Sequence, residues 1–201
     1  IRRLDAVFLT HPDTDHLGGL VAVLDNIPVK TLWSSRRPHR NETMFHNLWR
    51  DAAQRGTRLR VCGKALADND NEDSLVIRLR HGHHSFLLTG DIGSVTERNL
   101  VPRLQPFTVV QVPHHGSKGS SSVDFVSITQ PSFAVVQSGR NNRYGHPHPS
   151  VVERWNGRRV RRTDRLGNID FYSDGSILNI RSQVGQDERV LACGGDRSKC
   201  L

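Results

Sequence analysis

The stretch Ala6-Val7-Phe8-Leu9-Thr10-His11-Pro12-Asp13-Thr14-Asp15-His16-Leu17-Gly18-Gly19 places two imidazoles and two carboxylates between an apolar run and a glycine pair. The apolar run 6–9, led by Leu4, reads as a buried strand. Its end therefore delivers His11, Asp13, Asp15 and His16 to a loop at the edge of a sheet. Neutral imidazole and ionised carboxylate are ligands for divalent cations, and a structural ion pair does not need four such groups together. Side chains two apart on extended backbone point the same way, so His11, Asp13 and Asp15 can converge. The apolar residues 17–24 read as the start of a helix, with Gly18 and Gly19 allowing close backbone approach. This combination points to a metal pair used for hydrolysis.

Composition sets the outer bounds. A chain of 201 residues is long enough for one domain with a sizeable core. No run of about 18 apolar residues occurs, so no segment reads as membrane-spanning. The opening Ile1-Arg2-Arg3-Leu4 has no apolar leader pattern and no initiator Met, and reads as a piece of a longer protein. Cys62, Cys193 and Cys200 form no zinc-knuckle pattern, while a Cys193–Cys200 disulfide is compatible with their spacing. The formal charge is +8, with clusters at Arg36, Arg37 and Arg40, at Arg140 and Arg143, and at Arg158, Arg159, Arg161 and Arg162. Such surfaces attract polyanions through counterion release. The plainer reading of the last run is a solvated strand face.

Along the chain, strands are expected over 29–34, 57–62, 109–112, 133–137, 160–163 and 169–172, and a hairpin over 75–79 and 86–89 turning at Gly82. Helices are expected over 44–55, 94–104, 122–129 and 150–155, the second opened by a capping box from Ser94 to Glu97. Alternating strands and helices with hairpins give an α/β (α+β) fold with mixed sheets. The domain is expected over 1–183, and 184–201 read as an irregular or disordered tail. His81, His83 and His84 read as surface residues around the hairpin turn, and Trp33, Trp49 and Trp155 as packing residues.

Three further segments repeat the pattern of ligands at strand ends: Leu87-Leu88-Thr89-Gly90-Asp91, Val112-Pro113-His114-His115-Gly116-Ser117, and Asn141-Asn142-Arg143-Tyr144-Gly145-His146-Pro147-His148-Pro149. Open α/β sheets gather their sites at such an edge. With these residues in view, the chain resembles the metallo-β-lactamase superfamily from Leu4 to about Tyr172. More narrowly it resembles the extracytoplasmic metallo-β-lactamase-like domain of the ComEC family of DNA-uptake proteins. The resemblance implies an αββα sandwich, here lacking its N-terminal strands, and a two-metal hydrolase site. It also implies degradation of one DNA strand during import, at the outer face of a bacterial inner membrane, beside the transmembrane channel of the parent protein. Asp13 stands where most of the superfamily has a second His of the loop. A carboxylate there hardens the site toward Mn²⁺, with Zn²⁺ or Mg²⁺ as the other ions.

On that template one metal is held by His11, Asp13 and an imidazole from His114 or His115. The other is held by Asp15, His16 and an imidazole from the last segment, His146 ahead of His148. Asp91 bridges them, and Asp15 also orients the attacking water, which makes Asp15 and Asp91 the catalytic pair. Ser117, Lys118, Arg140 and Arg143 are placed to hold phosphate oxygens of single-stranded or duplex DNA. Two rivals stand beside a DNA phosphodiesterase: a hydrolase of another phosphodiester, and a DNA-guiding module without turnover.

Overall fold

The computed structural model describes residues 1–62 and 71–191. These form two compact units, residues 1–76 with 90–92 and residues 77–89 with those from 93 onward. The Cys193–Cys200 pairing lies outside the described residues.

The first unit is built on a parallel sheet. Strand β1 (Val7–Leu9) pairs with β2 (Thr31–Ser34), and β2 with β3 (Arg58–Val61), in the register Val7, Leu32, Leu59. Parallel neighbours need crossovers, which helices α1 (Thr14–Asn26) and α2 (Thr43–Gln54) supply. Helix α2 buries Phe45, Leu48 and Ala52, one helical stripe, and α1 buries Leu17 and Leu24. These close over Leu9, Val29 and Leu32 in a single core. The strand period sends Phe8 and Trp33 to the opposite sheet face, where their rings stack with centroids 6.1 Å apart. Arg36, counted in the sequence with a basic cluster, is buried and gripped by Glu42 through two bonds of 2.7 and 2.5 Å.

In the second unit, five strands run in the order β4 (Ile77–His81), β5 (His84–Leu88), β6 (Val109–Gln111), β7 (Phe133–Val136), β8 (Arg159–Arg162). Only the β4–β5 hairpin is antiparallel, which makes the sheet mixed. Helices α3 (Ser94–Leu100), α4 (Val123–Thr129), α5 (Pro149–Arg154) and α6 (Thr163–Leu166) follow successive strands. A second, antiparallel sheet joins β9 (Ile169–Ser173), β10 (Ile177–Ser182) and β11 (Glu188–Leu191). Leu178 and Ile180 of β10 pack on Val109 and Phe133, so the two sheets share a core.

Several expectations are amended. The segment 184–201, read as irregular, contains β11, a four-residue strand paired with β10. A strand this short carries too few alternations to register in the sequence. Helix α3 stops at Leu100 and tightens into a 3-10 turn at Val101–Arg103, where Pro102 lacks the donor a continued helix needs. Glu97 does not close a capping box with Ser94. It is fully buried, and its two oxygens accept the Ser121 and Ser122 amides at 2.5 and 2.7 Å. His84, read as a surface residue, is buried, because β5 begins there and turns its ring onto Ser173 Oγ at 2.7 Å.

The Arg36–Glu42 pair generates a pH prediction. The side-chain hydrogen bond from Arg36 holds the Glu42 carboxyl below the usual carboxylate range. A depressed folded value stabilises fully above the unfolded pKa, about 4.3, and that stabilisation is lost as pH falls toward the folded value. Urea titrations at stepped pH should show wild type losing this increment below about pH 4.5. Glu42→Gln should start less stable at pH 7 and lack that component of the acid loss.

Candidate metal centre

Strand β1 ends at Leu9, and the chain turns through Thr10 to Asp13, which stands at the N-cap position of α1. The Asp13 side chain makes no capping bond. Its carboxylate lies 3.6 Å from His11 Nε2 instead. Asp15 and His16 occupy the first turn of α1, where the helix dipole favours a carboxylate. Asp91 arrives from the end of β5 through Gly90, whose φ of +56° is a conformation natural to glycine.

These five residues of the first unit meet. His11 is fully buried, and its Nε2 has no hydrogen-bond partner. It faces the carboxylates of Asp13 at 3.6 Å and Asp91 at 3.9 Å. The His16 Nε2 lies 3.3 Å from Asp91 Oδ1 and 3.7 Å from Asp15 Oδ2. One donor atom each from Asp15, His16 and Asp91 falls within 4.8 Å of the others. The two imidazoles are themselves in contact, with ring centroids 4.1 Å apart.

Two hydroxyls organise the cluster from behind. Thr10 Oγ1 lies 3.1 Å from His11 Nδ1 and 3.3 Å from His16 Nδ1. Ser74 Oγ accepts the Asp91 amide at 3.1 Å and lies 3.2 Å from His11 Nδ1. With Nδ1 facing hydroxyls on each ring, Nε2 is the nitrogen turned to the carboxylates. Burial, reinforced by His16, pushes the His11 imidazole below its ordinary value against the pull of Asp91, Asp13 and Asp15. A neutral, buried nitrogen opposite carboxylates, at distances too long for hydrogen bonds, fits a divalent cation between them. Neither Thr10 nor Ser74 was among the site residues expected from sequence. Thr10 at least adjoins the motif, whereas Ser74 lies 63 residues from His11 and gives no local signal.

The second unit gathers the remaining imidazoles. His114 and His115 take left-handed conformations, φ +50° and +53°, in the 3-10 turn Pro113–Gly116. His115 Nδ1 donates to the Gln137 carbonyl at 2.8 Å, which fixes its tautomer and leaves the lone pair on Nε2. The His114 ring lies 6.3 Å from His115 and 6.1 Å from His146. Asn142 clamps the His146 backbone, accepting its amide at 3.0 Å and donating to its carbonyl at 2.6 Å. Tyr144 stacks on the His146 ring at 5.9 Å, and Arg143 donates to the Tyr144 hydroxyl at 2.7 Å. His148 caps α5, its Nδ1 accepting the Ser150 amide at 3.3 Å. Lys118, Arg140 and Arg143 are exposed and Ser117 is half-buried.

Gly90 offers a direct test of this assembly. A Cβ there would sit 2.9 Å from Ser74 Cβ and 3.0 Å from Thr10 Cβ, besides the strain of the positive φ. Gly90→Ala should cost about 1–3 kcal/mol of stability in chemical denaturation. By disturbing the two supporting hydroxyls it should also weaken Mn²⁺ binding about tenfold or more in calorimetric titration.

Comparison with known proteins places this arrangement. Residues 1–61, which carry the His/Asp loop, match the Metallo-beta-lactamase superfamily. The chain is 32% identical over 194 residues to ComE operon protein 3 of Bacillus subtilis, with 85% of the chain and 25% of that protein covered. It is 36% identical over 155 residues to Recombination protein 2 of Haemophilus influenzae, covering 75% of the chain and 20% of that protein. Competence protein ComA of Neisseria gonorrhoeae is 35% identical over 179 residues, 85% of the chain and 26% of that protein. The chain thus spans about a quarter of the length of these relatives. The chain belongs to the metallo-β-lactamase superfamily and is homologous over most of its length to competence and recombination proteins of the ComEC family.

Proposed function

We propose that this chain is a metal-dependent phosphodiesterase acting on DNA, the nuclease domain of a ComEC-type uptake protein. The observation that carries the reading is the buried His11 Nε2 facing the Asp13 and Asp91 carboxylates. His11, Asp13, Asp15, His16 and Asp91 would hold the ions, with Asp91 facing both imidazoles. Two divalent ions, Mn²⁺ ahead of Zn²⁺ and Mg²⁺, would supply a water acidified toward neutral pH and neutralise charge on the phosphodiester.

The side chains have separate tasks. Asp15, the more exposed of the carboxylates Asp13 and Asp15, accepts the proton of the attacking water. Asp91, held by Ser74 through its amide, turns its carboxylate toward both His11 and His16. Ser117, Lys118, Arg140 and Arg143 contact phosphate oxygens, and the formal charge of +8 draws the polyanion in. Tyr144 holds Arg143 through its hydroxyl and thereby limits where that guanidinium reaches. No helix among the described residues is long and apolar enough to cross a membrane. By homology the parent protein would present this domain on the outer face of the inner membrane, next to its channel.

The test is cleavage of end-labelled single-stranded and duplex DNA with added Mn²⁺. Wild type should cleave, and EDTA or Asp91→Ala should abolish cleavage while DNA binding in a filter assay falls far less. A folded, metal-loaded wild type that leaves every DNA intact would overturn the nuclease reading in favour of DNA guidance. Asp15→Asn should cut slowly and also bind the ions more weakly in calorimetric titration, since the same carboxylate serves as ligand and proton acceptor.

A further inference from the structure

The Arg158–Arg162 run is divided by the strand period into two halves with different surroundings. Arg159 and Arg161 project to one face of β8, where both pair with Glu188 and lie against the Phe133 ring. Arg158, Val160 and Arg162 project to the other and line a cleft of about 720 Å³. Its lining also includes Pro147, Pro149 and Glu153 of α5, and Arg165 of α6. Pro147 directly follows His146, so the cleft backs onto the loop that carries this imidazole.

The guanidinium groups in this cleft differ in what they already hold. Arg162 is neutralised by Asp164 through two bonds of 2.9 and 2.6 Å. Arg158 and Arg165 form no hydrogen bond or ion pair through their side chains with the described residues, and the Arg158 Nε is buried without an acceptor. A buried guanidinium N–H without a partner is unfavourable unless an acceptor arrives from outside. The planar fork of arginine matches phosphate oxygens, and two such forks in one groove suit successive phosphates of a strand. Among the described residues lining the cleft, Glu153 is the one carboxylate, which disfavours a compact, highly charged anion beside it.

We propose that this cleft binds the sugar-phosphate backbone of a nucleic-acid strand, with Arg158 and Arg165 as its phosphate contacts. The proposal rests on DNA being the substrate and adds a second contact surface behind the His146 loop. A strand seated there is anchored away from the bond being cut, so long substrates gain from the cleft and short ones do not.

The experiment is fluorescence anisotropy of a labelled single-stranded oligonucleotide in EDTA, over about 50 to 200 mM salt. Because no cleavage is involved, the result is independent of whether the domain is a nuclease. Arg158→Ala/Arg165→Ala should weaken binding and reduce the salt slope by about 1.4, the value for two lost contacts to a single strand. Arg158→Lys/Arg165→Lys should restore the slope with incomplete recovery of affinity, since charge returns without the fork. Arg2→Ala/Arg40→Ala, an equal charge change at exposed positions, is the control. Unchanged binding, or a loss equal to that control, would overturn the proposal, as would loss of binding to anionic vesicles with DNA binding intact. Arg165→Ala alone, at an exposed position, carries the same test with about half the slope change where the double variant fails to fold.

Discussion

Three carboxylates of the first unit crowd two touching imidazoles, and the repulsion among them is the constraint the surrounding structure answers. Asp13, Asp15 and Asp91 all lie within 4 Å of a histidine Nε2. Mutual repulsion would splay such a group unless the backbone fixes it. The fixing is done by short elements: the first turn of α1, the amide of Asp91 on Ser74, and the Thr10 hydroxyl set against two rings. Leu9 and Leu17, buried on either side of the loop, anchor its two ends in the same core. The fold thus holds a cluster of imidazoles and carboxylates that could take a metal ion.

The second unit solves a different problem, that of presenting imidazoles from chain that is neither helix nor strand. His114 and His115 take left-handed backbone, which costs energy for any side chain with a Cβ. Gly116 then approaches Pro147 so closely that an added Cβ would lie 2.5 Å from its ring, and its carbonyl accepts the His148 amide at 2.9 Å. The His114 turn and the His146 loop are thereby fastened to each other. Glu97 supports the same region from beneath, satisfying two amides of the segment that leads into α4.

Much of this was legible in the sequence where a residue's partner is near in the chain or its chemistry is unusual. The loop from His11 to His16 announces a candidate metal site because imidazole and carboxylate are dense there and a strand precedes them. Strands β2 and β3 and helix α2 follow from apolar runs and the stripe of Phe45, Leu48 and Ala52, while their parallel direction comes from the structure. Partnerships across long separations were not legible. Ser74 reaches His11, Glu97 reaches Ser121, and His84 reaches Ser173, each pair brought together only by the completed sheets. Glu97 illustrates the hazard, since its spacing from Ser94 satisfies a local rule while a distant pair of amides holds its carboxylate. Arg36 is similar: one of 28 basic residues by count, it is internal and already paired.

The division of the chain carries a consequence for its synthesis. Gly90–Ile92 belong to the first unit although they lie within the sequence of the second, after the β4–β5 hairpin. A ribosome that has released residues 1–76 has therefore made the histidine loop, its helix and its core, but not Asp91. The carboxylate that His11 and His16 both face emerges only after a hairpin belonging to the other unit. No single cut in the polypeptide can separate the two units with the cluster intact on either fragment. The His/Asp cluster is thus a property of the interleaved chain, and its completion waits for the synthesis of the β4–β5 hairpin.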